Sequence, residues 1–308
     1  MAIIGCGTSL NAGETIASTF SRLGATPTSL VVASESQGTV LEDDTLVIAM
    51  SQSGETADVL RAIDDLNLRH GHLVAITNTA HSSLARRADV VLDRLAGEEI
   101  GVAATKTFTA QVVTGITFAI SALHARGTVP RSIVLRLLNE LYELPDHIEQ
   151  AISAAESAVP SVLDSLSEHS GMLLLGRGTG VPYAREGALK IKELTYRWAE
   201  AFPAGGLKHG PLALIEKGTP VIVVDHSDPR LPRNIAEVQA RGANVLRIGG
   251  AGSNIPAVAD ATLNNLGRQL WGPLEAAVPL QVISRLLARR LGTEVDRPRN
   301  LAKAVTVE

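Results

Sequence analysis

Four short stretches of this sequence carry residue types that do chemistry. The first is Ser51-Gln52-Ser53-Gly54-Glu55-Thr56, between an apolar run ending at Met50 and a helical pattern starting near residue 55. Backbone N–H groups at a helix start are unpaired and carry partial positive charge. Three hydroxyls and an amide add neutral donors, and Gly54 lets the backbone approach closely. No lysine accompanies them, so this is not the lysine-bearing loop of nucleotide triphosphate enzymes. Such a set suits a small phosphomonoester; the same residues also serve as a serine-rich helix cap that binds nothing.

The second stretch is Glu186-Gly187-Ala188-Leu189-Lys190-Ile191-Lys192-Glu193. Lys190 lies four residues from Glu186 and three from Glu193, so all three share one helical face. Such charges usually form a solvated face with ordinary ion pairs; the glycine loop just before this helix and the His209 loop after it argue against that here. The third is His209, set between glycines and Pro211 in Gly205-Gly206-Leu207-Lys208-His209-Gly210-Pro211; a histidine so placed is structural or a proton donor. The fourth is the end of the chain, Asp296-Arg297-Pro298-Arg299-Asn300-Leu301-Ala302-Lys303, a basic tail of a kind that is usually just solvated.

The elements that must hold these groups read as α/β. Ile3-Ile4, Leu30-Val31-Val32, Leu46 to Ala49 and Leu73 to Ile76 are short buried strands, with Val90-Val91-Leu92 a weaker fifth. Helical patterns near 10–24, 55–70 and 81–87 separate them, which predicts parallel pairing through right-handed crossovers. A long apolar helix over 101–126 closes this lobe. Residues 127–168 read as a helical connector packed on both lobes, with Leu135, Leu138, Leu141 and Leu144 at every third position.

A second alternation follows: strand 172–175, helix 182–201, strand 220–224, helix 232–241, strand 244–248, a weak strand at Thr262-Leu263 and helix 273–291. The tail 292–308 is irregular. Each half opens with a strand running into a glycine loop, Gly5-Cys6-Gly7-Thr8-Ser9 in one and Gly176-Arg177-Gly178-Thr179-Gly180 in the other. That points to a tandem duplication. Ser9 reaches the crevice of the Ser51 loop if the strand order reverses there. Leu10 stands where the third glycine of a dinucleotide-binding loop belongs, which weighs against that ligand.

The composition narrows the classes. Among 308 residues, 45% are hydrophobic and 19% charged, a globular mixture. Aromatic residues are 3% and the net charge is −4, so no nucleic-acid partner is expected. A single cysteine excludes an internal disulfide. No signal peptide, membrane span or metal-ligand cluster is read, and a cytoplasmic location is expected.

Taken together, Cys6 to Ser9, Ser51 to Thr56, Glu99-Ile100-Gly101-Val102-Ala103, Glu186 to Glu193, Leu207 to Leu214 and Pro298 to Glu308 resemble the isomerase half of the glucosamine-6-phosphate synthase (glutamine–fructose-6-phosphate aminotransferase) family. The resemblance runs from Gly5 to Glu308. It implies two tandem sugar-isomerase (SIS) αβα sandwiches, each with a mostly parallel sheet: domain 1 over 1–126, the connector over 127–168, domain 2 over 169–291, and a tail over 292–308 closing over the site. It implies that Ser51, Gln52, Ser53 and Thr56 hold the sugar phosphate, with Cys6, Gly7, Thr8 and Ser9 nearby and backbone at Val102 and Ala302 touching the sugar.

The resemblance further implies that Lys303 forms a Schiff base with the open-chain ketose, Glu193 moves a proton between C1 and C2, and Lys190 lines the site. His209 would assist ring opening from the neighbouring subunit of a homodimer. Lysine imine chemistry needs no cofactor and no metal. The family's N-terminal glutaminase domain has no counterpart in these residues, so the amine is expected from free ammonia or a separate glutaminase. The alternatives are an aldose–ketose isomerase, an amino-sugar-phosphate deaminase, or a non-catalytic sugar-phosphate sensor. Binding alone needs none of Lys303, Glu193 and His209, which sets the sensor last.

Overall fold

Short runs of Ile, Val, Leu and Ala without polar alternation suit strands covered on both faces, and such strands pair in parallel. The computed structural model has this arrangement; it describes residues 1–66, 71–250, 253–256 and 265–306. The chain forms two units, Met1–Leu138 with Ala302–Glu308, and Asn139–Leu301.

The first unit runs β1 (Ala2–Gly5), α1 (Gly7–Gly24), β2 (Ser29–Val32), β3 (Leu46–Met50), α2 (Ala57–Asp65), β4 (His72–Thr77), α3 (Ser83–Arg87), β5 (Val90–Asp93) and α4 (Lys106–Ala125). All its strands are parallel, in the order β2-β1-β3-β4-β5. Alternate residues serve opposite faces of the sheet. Ile4, Val47 and Ala49 pack with Val59 and Ala62 of α2. Ile3 and Met50 meet Gly13 of α1, and α4 packs on α1. Short as it is, β1 lies between β2 and β3 with Ala2, Ile3 and Ile4 wholly buried. Long apolar α4 meets the length and composition of a membrane span, but it is a core helix, with Phe108, Val112, Ile116 and Ile120 wholly buried. It starts at Lys106 rather than 101, leaving 94–105 as a loop beyond β5.

Helix α5 (Arg131–Tyr142) spans the division between the units. The second unit continues with α6 (Leu144–Ala158), α7 (Leu163–Ser167), β6 (Gly171–Gly176), α8 (Val181–Thr195), β7 (Trp198–Pro203), β8 (Pro220–Val224), α9 (Leu231–Gln239), β9 (Asn244–Ile248), α10 (Leu266–Leu270) and α11 (Ala277–Leu291). Its parallel sheet has the order β7-β6-β8-β9.

Three sequence expectations change in this unit and its lead-in. The helix expected over 182–201 ends at Thr195, because Tyr196 adopts a left-handed φ of 58° and caps it. The chain then forms the edge strand β7, whose Trp198-Ala199-Glu200-Ala201 reads as helix in sequence. In α5, Leu135 and Leu138 are exposed while Leu137 is wholly buried. A three-residue step turns about 300° and drifts around the helix, so that leucine row marks no buried face. Thr262-Leu263 and the end of the helix expected over 55–70 lie outside the described residues.

Candidate functional site

In the first sheet the chain steps from β1 to β2 on one side and to β3 on the other. The order therefore reverses between β1 and β3, and ligands of open α/β sheets bind at the carboxyl ends of strands at such a point. Both glycine loop 5–9 and loop 51–56 leave the sheet there. The second loop is tied inward. The Ser51 Oγ lies 2.8 Å from the Thr56 Oγ1 and accepts from the Gly54 N–H at 3.0 Å. Ser53 Oγ accepts from the Glu55 N–H at 3.1 Å. Gly54 has φ +66°, and a Cβ there would come within 2.0 Å of the Ser82 Oγ, so only glycine fits.

Gln52 and Ser53 line a cavity of about 730 Å³ together with Asn78, Asp93, Glu99 and Lys303. Lys303, 204 residues along the chain from Glu99, belongs to this first unit. Its Nζ donates to the Gly101 carbonyl at 2.7 Å and to the Glu99 Oε2 at 3.2 Å. The tail is fastened further on, where the Ala57 N–H at the start of α2 donates to the Val305 carbonyl at 3.0 Å. Glu99 is buried and also accepts from the Thr105 N–H at 2.7 Å and from the Thr107 hydroxyl. Burial pushes its carboxyl up, but bonds from Thr107 and Thr105 and the Lys303 ammonium outweigh this and hold it below the usual range. Lysine is a residue type that forms imines with carbonyls, and it does so as the neutral amine.

In the second unit, α8 starts under Pro182 and approaches its neighbours closely at Gly187, where a Cβ would meet Leu280 of α11 at 2.7 Å and Leu174 of β6 at 3.0 Å. That close seat buries one face of the helix. Lys190 is 1% exposed, its Nζ 2.6 Å from the Glu193 Oε2 and 3.5 Å from the Glu186 Oε1. Burial opposes the ammonium, and the two carboxylates outweigh it, so the Lys190 pKa lies above its ordinary value. The solvated-face reading of this helix is therefore excluded for Lys190 and Glu186. The Glu193 side chain is 20% exposed. His209 ends a 3-10 turn over Ala204–His209 and is exposed.

The sequence matches the SIS domain family in two segments, residues 1–121 and 165–265. The chain belongs to the SIS domain family. It is 42% identical over 317 aligned residues to the glutamine–fructose-6-phosphate aminotransferase (isomerizing) of Mycolicibacterium smegmatis, covering 99% of this chain and 50% of that protein. It spans about half the length of the curated relatives it matches. Among solved structures, it is similar to the C-terminal domain of glucosamine-fructose-6-phosphate aminotransferase from Francisella tularensis, with a TM-score of 0.88, 33% identity, and coverage of 96% of this chain and 86% of that one. The glucosamine-6-phosphate deaminase of Thermotoga maritima is also similar, with a TM-score of 0.80, 26% identity, and coverage of 99% and 89%.

The second SIS sheet reverses in the same way, between β6 and β8, and its crevice holds the protein's own charges. Asp225 Oδ2 pairs with Arg247 at 2.6 Å, and its Oδ1 accepts from the Ser227 N–H at 2.8 Å. Asp228 pairs with Arg230 at 2.8 Å and lies 3.4 Å from the Arg177 Nε. The bonds from Arg230 hold the Asp228 carboxyl down to about 2.

The remaining sequence candidates sit in the first SIS unit. Gly7, Thr8 and Ser9 form the first turn of α1, one turn earlier than the helix expected from residue 10, and the Ser9 hydroxyl donates to the Gln111 Oε1 at 3.2 Å. Cys6 precedes that helix and packs against the apolar cluster, where burial pushes its thiol up. Its side chain is thus a packing group. Val102 is half-buried in the loop before α4 and Ala302 is exposed beside Lys303. Sequence reasoning passed over Glu99 and Arg94 as site residues. Glu99 stood inside a stretch already singled out, but its partner is 204 residues away. Nothing in the spacing of Arg94 marks it.

Proposed function

We propose that this chain is a sugar-phosphate enzyme that converts fructose 6-phosphate and ammonia into glucosamine 6-phosphate and water. The observation that carries this reading is the shared cavity of the first unit, where Lys303 and Gln52 and Ser53 of the hydroxyl-rich loop lie on one wall system. Ser51, Gln52, Ser53 and Thr56 take the phosphate. The Lys303 amine condenses with the C2 ketone, releasing water, and ammonia later displaces the lysine. Glu193 carries the proton between C1 and C2, a task for a carboxylate that can take and return it. Lys190 holds Glu193 in place, and His209 opens the sugar ring, from the second subunit of a homodimer. The similarity to the aminotransferase relatives supports the amination direction, and that to the deaminase structure supports the same chemistry in reverse.

Product analysis tests the reading. The purified 308-residue chain with fructose 6-phosphate and ammonium chloride is expected to give glucosamine 6-phosphate. Glucose 6-phosphate alone would show that the proton shuttle runs without amination. Ammonia released from glucosamine 6-phosphate, with no forward reaction, would favour the deaminase.

A further inference from the structure

Arg94 is buried, at 6% exposure, just past the end of β5 and beneath the hydroxyl-rich loop. Leu95 follows with a left-handed φ of 52°, a costly conformation for a leucine that turns the chain sharply at this point. The Arg94 Nη2 donates to the Gln52 carbonyl at 3.1 Å and its Nη1 to the Thr107 carbonyl at 3.1 Å. One guanidinium therefore ties the loop to the first turn of α4. The Gln52 carbonyl accepts from the Asn78 N–H at 3.2 Å as well, so this peptide is fixed from two sides. Because the peptide is trans and planar, the Ser53 N–H points away from Arg94.

Charge makes the placement matter. The cavity wall carries Asp93, Glu98 and Glu99 against the single ammonium of Lys303. The loop's own donors are all neutral. A phosphate dianion entering such a cavity meets more negative than positive charge unless another cation stands close. Two cations stand close: Lys106, whose Nζ donates to the Glu98 carbonyl at 2.6 Å, and Arg94, which is buried and donates to the Gln52 carbonyl of the loop itself. Burial lowers its guanidinium to about 10, with Glu99 and Asp93 opposing, so it stays charged at neutral pH.

We propose that Arg94 is a positioning residue of the phosphate site: it fixes the Gln52–Ser53 peptide in its donor orientation and supplies, from below the loop, the positive charge that the loop lacks. The inference rests on the sugar-phosphate reading above. A buried guanidinium with no direct ligand contact sets affinity for the phosphate and leaves the chemistry at the sugar's other end unchanged.

The test compares wild type, Arg94→Gln and Arg94→Lys by calorimetric titration with inorganic phosphate and with fructose 6-phosphate, and by steady-state kinetics. Arg94→Gln is expected to weaken both ligands and raise KM by roughly tenfold, with kcat at saturating sugar phosphate within about threefold of wild type. Arg94→Lys keeps the charge without the two-carbonyl span, so its affinity falls in between; it also serves if the glutamine variant fails to fold. Wild type and a folded Arg94 variant binding both ligands equally would overturn the inference and leave the phosphate reading standing. A fall in kcat with KM unchanged would also overturn it. Failure of wild type to bind either ligand would overturn both.

Discussion

Ser51 and Asp225 hold equivalent places in the two SIS units. Each directly follows a central strand, and each donates its backbone N–H to the end of the neighbouring strand, Ser51 to Ile76 at 3.2 Å and Asp225 to Ile248 at 2.9 Å. Each then uses its side chain to hold the turn, accepting from Gly54 in one case and from Ser227 in the other. The difference is in charge. The side chains that hold the Ser51 turn are the neutral hydroxyls of Ser51, Ser53 and Thr56, whereas Asp225 and Asp228 bring anions of their own and pair them with Arg247, Arg230 and Arg177. The Ser51 turn is held by neutral groups, and the Asp225 turn by carboxylates already paired with guanidinium groups. One topology thus supports two outcomes, decided by a few side chains at the strand ends.

The comparison can be broken by exchanging those side chains. Asp225→Ser leaves the Arg247 guanidinium, a largely buried group, without its carboxylate, and is expected to cost about 2–3 kcal/mol of stability in urea unfolding without creating phosphate binding. Ser51→Ala removes the hydroxyl that gathers Gly54 and Thr56, and is expected to weaken fructose 6-phosphate binding roughly tenfold and to cost about 1–3 kcal/mol, because the buried Gly54 N–H loses its acceptor. If Asp225→Ser bound phosphate, or Ser51→Ala left binding intact, the division between the two crevices would be wrong.

A smaller effect sharpens the account of the second crevice. The folded-state pKa of Asp228 is depressed to about 2, from an ordinary 3.8, first by its hydrogen bonds from Arg230. A depressed carboxylate contributes stability that is complete above its unfolded pKa and is lost as pH falls through the folded value. Unfolding free energy is therefore expected to decline between about pH 4 and pH 2. Asp228→Asn should flatten that part of the curve, and an unchanged slope would remove Asp228 from the network.

How far these features were legible in the sequence follows from whether their causes are local. The strands of the first unit announce themselves because parallel strands buried on both faces are unbroken runs of Val, Ile and Ala. The hydroxyl-rich loop is legible for the same reason, since its donors, its glycine and its helix start lie within six residues, Ser51 to Thr56. The face shared by Glu186, Lys190 and Glu193 needed only helical spacing, though its burial depended on how closely Gly187 lets α8 approach α11. Strand β7 was hidden because Ala199, Glu200 and Ala201 favour helix, and only the edge of a sheet makes them a strand. Glu99 and Arg94 were hidden because their roles are set by partners far along the chain, Lys303 for one and Gln52 for the other.

In the proposed reaction Lys303 is the imine-forming amine of the cavity lined also by Gln52 and Ser53. The most direct test is borohydride reduction of the protein in the presence of fructose 6-phosphate, followed by mass analysis of the peptides. The account predicts a reduced sugar-phosphate adduct on the peptide carrying Lys303, lost in Lys303→Ala while that variant still binds inorganic phosphate. An adduct on Lys190 instead, or undiminished amination by Lys303→Ala, would contradict it.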